Sequence, residues 1–144
     1  MTSVLTRYVA RLLLAPVLIV SVGILVKGYA DVGDGFAAGV VAALALLLQY
    51  VAFGNDVVET SLPIRWSPGI AVAGLTLAVL VFAAPMALGD RPLEHLPAAG
   101  DEPVHIGSLE LITAVAFDVG VFLLVLGAVG TIIGSLVDPD EEAP

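Results

Sequence analysis

The sequence predicts an all-α integral membrane protein with four transmembrane helices, short hairpin links and one longer external loop. Three observations carry this expectation. The 144 residues are 59% hydrophobic and 13% charged, with a mean hydropathy of +1.06. A soluble fold of this size has too little interior to hide so much apolar surface, so lipid must cover much of it. Uncharged runs recur at spanning length: Leu12–Val26, Gly35–Asn55, Trp66–Gly89, and a fourth from about Glu110 to Val137 broken only by Asp118. Charges and prolines gather between these runs.

Residues 1–144 read as a single membrane domain, with helices at about 8–29, 35–54, 66–89 and 109–137 and an acidic tail over 138–144. The first run has only fifteen uncharged residues, but Arg11 and Lys27 can snorkel and extend it to a spanning length of ~20. Arg7 and Arg11 before it and Gly28-x-Ala30 after it outline a signal peptide; we expect a retained span instead. Pro16 should kink this helix and Pro85 the end of the third. Tyr8, Tyr29, Tyr50 and Trp66 fall near span ends, where aromatic belts form. Arg7, Arg11 and Arg65 lie on one side, Lys27 and Arg91 on the other. The excess places both termini in the cytoplasm and the Gly28–Gly39 link outside. The connection from Gly89 to Ser108, with its prolines, acids and both histidines, is long for a helix link and should pack on something outside the bilayer.

Composition also bounds the partners. Five basic against fourteen acidic residues give a net charge of -9. Nucleic acid and anionic membrane surfaces are recognised by basic patches, so neither is expected, whereas membrane lipid is required. The absence of cysteine excludes disulfides, thiolate metal sites and cysteine nucleophiles.

Helix faces carry further information. Gly35, Gly39 and Ala43 form a small-residue stripe that lets helices approach closely. In the fourth helix Gly120, Gly127, Gly130 and Gly134 share an arc of about 80° at about 100° per residue. Asp118 projects nearly opposite. A span disfavoured for lipid on two faces should be surrounded by protein, which points to a larger membrane complex.

Asp118 is the sharpest single residue. An aspartate at mid-helix depth costs ~2.5–3.5 kcal/mol on insertion scales. About sixteen Leu, Ile, Val and Phe side chains offset this at ~0.3–0.6 kcal/mol each, so the helix still inserts. Two readings remain: an ion or proton relay, or a carboxylate satisfied by a cation or backbone amides of a neighbouring helix. Lys27, the sole lysine, is its expected partner, with plain snorkelling as the alternative. Asp34 sits where an N-cap for the second helix belongs, after a Gly33 free to take a left-handed conformation. With Asp31 it could instead form an external cation-collecting mouth. The ion-translocation candidates are therefore Asp118, Lys27, Asp34 and Asp31.

The remaining polar residues read as structural. The Gly33-x-Gly35-x-x-x-Gly39 spacing is no dinucleotide fingerprint, since no strand precedes it. Glu110 favours the dipole at the start of the fourth helix. His95 and His105 are separated by proline-rich loop and read as exposed residues rather than metal ligands. No serine or threonine has a base nearby, so neither a metal, a cofactor nor an enzyme centre is expected.

Two stretches resemble a known family. Leu14-Ala15-Pro16-Val17-Leu18 followed by Gly28-Tyr29-Ala30-Asp31-Val32-Gly33-Asp34-Gly35-Phe36-Ala37-Ala38-Gly39 resembles the signature of the MnhB subunit of Mrp-type (Mnh) multisubunit cation/proton antiporters. That signature reads roughly Gly-His-x-x-Pro-Gly-Gly-Gly-Phe-x-Gly-Gly. Tyr29 stands for its histidine, Val32 for its proline, and Asp34 and Ala38 for two glycines. Phe117-Asp118-Val119-Gly120-Val121 is similar to the family's Phe-Asp-x-Gly-Val, and the likeness runs from Leu12 to about Gly134. The resemblance implies a small four-helix accessory subunit in a prokaryotic plasma membrane. Its partners would be the other subunits of a hetero-oligomeric antiporter, with Na+ and H+ as the transported ions. Equivalent subunits of hydrogenase-linked sodium modules, and a purely structural assembly subunit, are the alternatives.

Overall fold

A computed structural model describes residues 4–27, 33–54, 66–87, 89, 104–106, 109–111 and 113–137. Four helices dominate: α1 (Val4–Lys27), α2 (Gly35–Phe53), α3 (Ser67–Ala87) and α4 (Thr113–Val137). Each is long and apolar enough to cross a membrane. α1 starts nearer the N-terminus than the uncharged run does, because its first turns through Arg7 and Arg11 are helical as well. Pro16 and Pro85 both lie inside helices. Each withholds one backbone donor, which a transmembrane helix tolerates.

Between α3 and α4, strands β1 (Val104–Ile106) and β2 (Leu109–Leu111) pair antiparallel, with His105 opposite Glu110. The all-α architecture stands, but two details differ from expectation. The fourth helix begins at Thr113 instead of 109, and Glu110 is a strand residue rather than a helix-start charge. The local pattern explains this: Val-His-Ile and Leu-Glu-Leu alternate with period two about Gly107-Ser108, which suits a hairpin better than a helix turn. His95, Arg65, Arg91 and the tail over 138–144 lie outside the described residues.

The helices lie in the order α1–α2–α4–α3, so that α4 separates two helices consecutive in the chain. Small residues set this order. A Cβ on Gly127 would run into the Ala71 and Ser67 backbone, and one on Gly120 would lie 2.8 Å from Ala78 N. Gly130 meets the Ser67 side chain, and Gly74 of α3 answers with the backbone of Gly120 and Leu124. The glycine face of α4 therefore seats α3. On its other side, Gly39 of α2 would place a Cβ 2.9 Å from Val125 Cβ. Ala43 is buried further along the same stripe, while Gly134 is half-buried near the end of α4. Both disfavoured faces of α4 are thus covered from within the chain, so they do not by themselves require a larger complex. Lipid tails are as apolar as leucine, so close packing rather than the hydrophobic effect must hold these helices together.

Two buried polar side chains tie α1 to α2. Ser21 Oγ donates to Ala38 O at 2.8 Å and Gln49 Nε2 to Ala10 O at 2.6 Å. At the same end as the Gln49 bond, the Arg11 guanidinium lies 5.3 Å from the Phe53 ring centroid, a cation–π contact.

Forcing a bulky side chain into packing of this kind costs ~1–3 kcal/mol. Gly127→Leu should therefore lower the stability of the purified chain by about that amount in detergent unfolding. Gly23→Ala, where an added Cβ meets nothing within 4 Å, should leave it unchanged or higher.

Candidate functional site

The site forms where α1 ends, α2 begins and the second turn of α4 passes beneath them. α1 runs uninterrupted to Lys27, whose cation suits the negative end of the helix. The chain re-enters helix at Gly35. Gly33 stands just before it with φ +118°, a backbone region that side chains rarely adopt. This positive φ meets the expectation for Gly33 and aims its N–H down at α4.

Asp118 receives it. Gly33 N–H donates to Asp118 Oδ2 at 3.0 Å, and the aspartate is only 3% exposed. Gly35, two residues on, lies against the Asp118 backbone: a Cβ there would sit 2.7 Å from Asp118 Cα. The two stretches singled out in the sequence therefore meet in space. The glycines of one let the backbone approach, and the carboxylate of the other accepts its amide. Because α4 starts at Thr113, Asp118 lies about 7.5 Å along the helix at 1.5 Å per residue. It is thus nearer the membrane surface than the mid-helix depth expected, where the insertion cost peaks.

Lys27 does not pair with Asp118. Its Nζ lies 3.1 Å from Asp34 Oδ2, across the α1–α2 turn, with side chains 66% and 27% exposed. The two residues are seven apart at the lips of one hairpin, and that proximity wins over the buried acid. Asp34 accordingly caps α2 differently from expectation. Its backbone is helical (φ -82°, ψ -5°), and its side chain makes no capping bond. Only its carbonyl serves the helix, accepting from Ala38 N at 2.9 Å. Asp31 and Tyr29 lie outside the described residues.

The arrangement has two tiers. The Lys27–Asp34 pair, exposed at Lys27 and half-buried at Asp34, forms the rim, and beside it the buried Asp118 carboxylate accepts the Gly33 amide. A carboxylate buried in a low-dielectric surround is the kind of group that can hold a proton or a cation. Two further groups of structural residues were not expected from the sequence. Ser21 and Gln49 signal themselves only as single polar side chains within apolar runs. The Ser67–Ala71–Gly74–Ala78 face of α3 is legible as small residues four, three and four apart.

The chain as a whole has relatives among known proteins. Residues 5–131 match the model of a domain related to the MnhB subunit of Na+/H+ antiporter. The B subunit of a Na(+)/H(+) antiporter of Alkalihalophilus pseudofirmus is 33% identical over 136 residues, covering 94% of this chain and 90% of that protein. The B subunit of a Na(+)/H(+) antiporter of Bacillus subtilis is 32% identical, covering 83% and 82%. Two longer chains also match. A probable A/B subunit of a K(+)/H(+) antiporter of Rhizobium meliloti is 36% identical over 82% of this chain but only 12% of its own length. A chain of the Mrp complex from Dietzia sp. DQ12-45-1b superposes with a TM-score of 0.72 at 26% identity, over 98% of this chain and 15% of that one. The protein thus belongs to the family of domains related to the MnhB subunit of Na+/H+ antiporters.

Proposed function

We propose that the chain is an accessory membrane subunit of a multisubunit cation/proton antiporter, a multi-pass protein of a prokaryotic plasma membrane. It supports both ion movement and assembly, and makes or breaks no covalent bond. Family membership, with relatives named as antiporter subunits over nearly their full length, supports the reading. Both termini would lie in the cytoplasm, placing the Lys27–Asp34 rim on the outer surface.

The observation that carries a role in ion movement is the buried Asp118 carboxylate beneath that rim. Asp118 would hold a proton or cation, while Lys27 and Asp34 set the charge at the mouth. A second reading, a structural anchor, draws on the same Gly33 hydrogen bond.

Asp118→Asn separates the two, because the amide oxygen still accepts from Gly33 while the charge is gone. In vesicles containing the assembled complex, Asp118→Asn should cut sodium- or potassium-driven proton exchange roughly tenfold or more, as expected for loss of a relay group. Unchanged exchange in an assembled complex would leave Asp118 as an anchor alone. Lys27→Gln should shift stability by less than about 1 kcal/mol, since exposed ion pairs are weak and screened. Its effect on exchange should shrink as ionic strength rises, read in the same vesicles.

A further inference from the structure

Thr76, Thr131 and Ser135 are each satisfied by their own helix, and Ser21 is not. Thr76 Oγ1 donates to Val72 O at 2.8 Å, Thr131 Oγ1 to Gly127 O at 2.8 Å and Ser135 Oγ to Ile132 O at 2.9 Å. Back-bonding of this kind, to a carbonyl three or four residues earlier, is the usual outlet for a hydroxyl inside a helix. Ser21 has the same outlet at Val17 O, yet its Oγ donates across to Ala38 O of α2 at 2.8 Å. Ser21 is 1% exposed and Ala38 0%, so water does not compete for the bond.

The bond sits where the candidate site is built. Ala38 closes the first turn of α2: its N–H donates to Asp34 O at 2.9 Å, while Ser21 holds its carbonyl. Just before that turn, Gly33 N–H donates to Asp118 Oδ2, and within it Gly35 lies on the Asp118 backbone. The turn is therefore held by α1 on one side and offered to α4 on the other. The other α1 contact to this turn, the Lys27–Asp34 pair, is 66% exposed at Lys27, where water and salt weaken it. Gln49 also ties the two helices by a buried bond, to Ala10 O. It lies about 16 Å along α2 from Ala38, at about 1.5 Å per residue, and does not reach the turn.

We infer that Ser21 is a positioning residue for ion movement: it holds the first turn of α2 so that Gly33 meets the Asp118 carboxylate in the geometry that takes up the ion. Ser21 acts through Ala38 and Gly33. A constellation that holds a ligand depends on such supporting bonds, because small displacements of its groups weaken it. An interhelical hydrogen bond in lipid is worth about threefold in an equilibrium constant, which sets the size of the expected effect. The inference rests on the reading of Asp118 as the ion-holding group.

Ser21→Ala and Gln49→Leu each remove one buried α1–α2 hydrogen bond, and they are compared in vesicles containing the assembled complex. Ser21→Ala should raise the sodium or potassium concentration for half-maximal cation–proton exchange by about threefold or more, with a smaller change in the maximal rate per complex. Ser21→Cys, with a weaker donor of similar size, should fall between it and the unsubstituted chain. Gln49→Leu should leave that concentration unchanged, whatever it does to the yield of complex. Amide hydrogen exchange at Gly33, read by mass spectrometry on the same complexes, should quicken about threefold in Ser21→Ala and not in Gln49→Leu. A half-maximal concentration that moves equally in both variants, or in neither, would overturn the assignment. So would Gly33 amide exchange unaltered by Ser21→Ala. If Asp118→Asn leaves cation–proton exchange unchanged in an assembled complex, the ion-holding reading itself fails. That outcome is distinct, because Gly33 amide exchange in Ser21→Ala still reports whether Ser21 holds the turn.

Discussion

The contact between Gly33 and Asp118 fixes how the two halves of this protein meet. A buried carboxylate must find a donor, and here the donor is a backbone amide that only a left-handed residue presents. Gly35 then has to lie flat on α4, because any side chain would occupy the space of the Asp118 backbone. Together these residues dock the start of α2 onto the second turn of α4. The Lys27–Asp34 pair sits above them as a consequence of where the hairpin is pinned.

From this point the packing spreads along α4 in both directions. Without a hydrophobic driving force between helices, close backbone approach is the main source of cohesion, and α4 supplies it on two sides. Gly39 carries the α2 contact onward to Val125, while Gly120, Gly127 and Gly130 hold α3. α1 depends on a different device. Its buried face is narrow, with Ala10 and Ser21, and hydrogen bonds from Ser21 and Gln49 connect it to α2. The result is a row of helices rather than a closed bundle, with broad exposed apolar faces on α1 and α3. A row leaves edges, and edges are where a component of a larger assembly has room to join neighbours.

Much of this is legible in the amino-acid sequence. Uncharged runs locate all four spans, because charge in lipid is expensive. Glycine spacing on α4, set against Asp118, announces that both faces are packed. The pattern does not say which helix fills each face. α3 lies beyond α4 rather than next to α2, a long-range choice that local periodicity does not encode. The partner of Lys27 differs from expectation for a related reason. A buried acid is the more conspicuous electrostatic target, but Asp34 is only seven residues from Lys27 and lies 3.1 Å from its Nζ. The β1–β2 hairpin is hidden in the sequence because Leu109, Leu111 and Ile112 prolong an apolar run. Period-two alternation on either side of Gly107-Ser108 outweighs that run.

The docking of α2 onto α4 is tested most directly by the amide exchange of Gly33 in the glycine-labelled protein, followed by NMR. With Asp118 or Asp118→Asn, an oxygen remains to accept the N–H, and exchange should be slow. With Asp118→Ala it should quicken by about tenfold or more, the change expected when an opening free energy falls by ~1.4 kcal/mol. Equal exchange in all three proteins would mean that Asp118 does not hold the α1–α2 turn, and the docking described here would be contradicted.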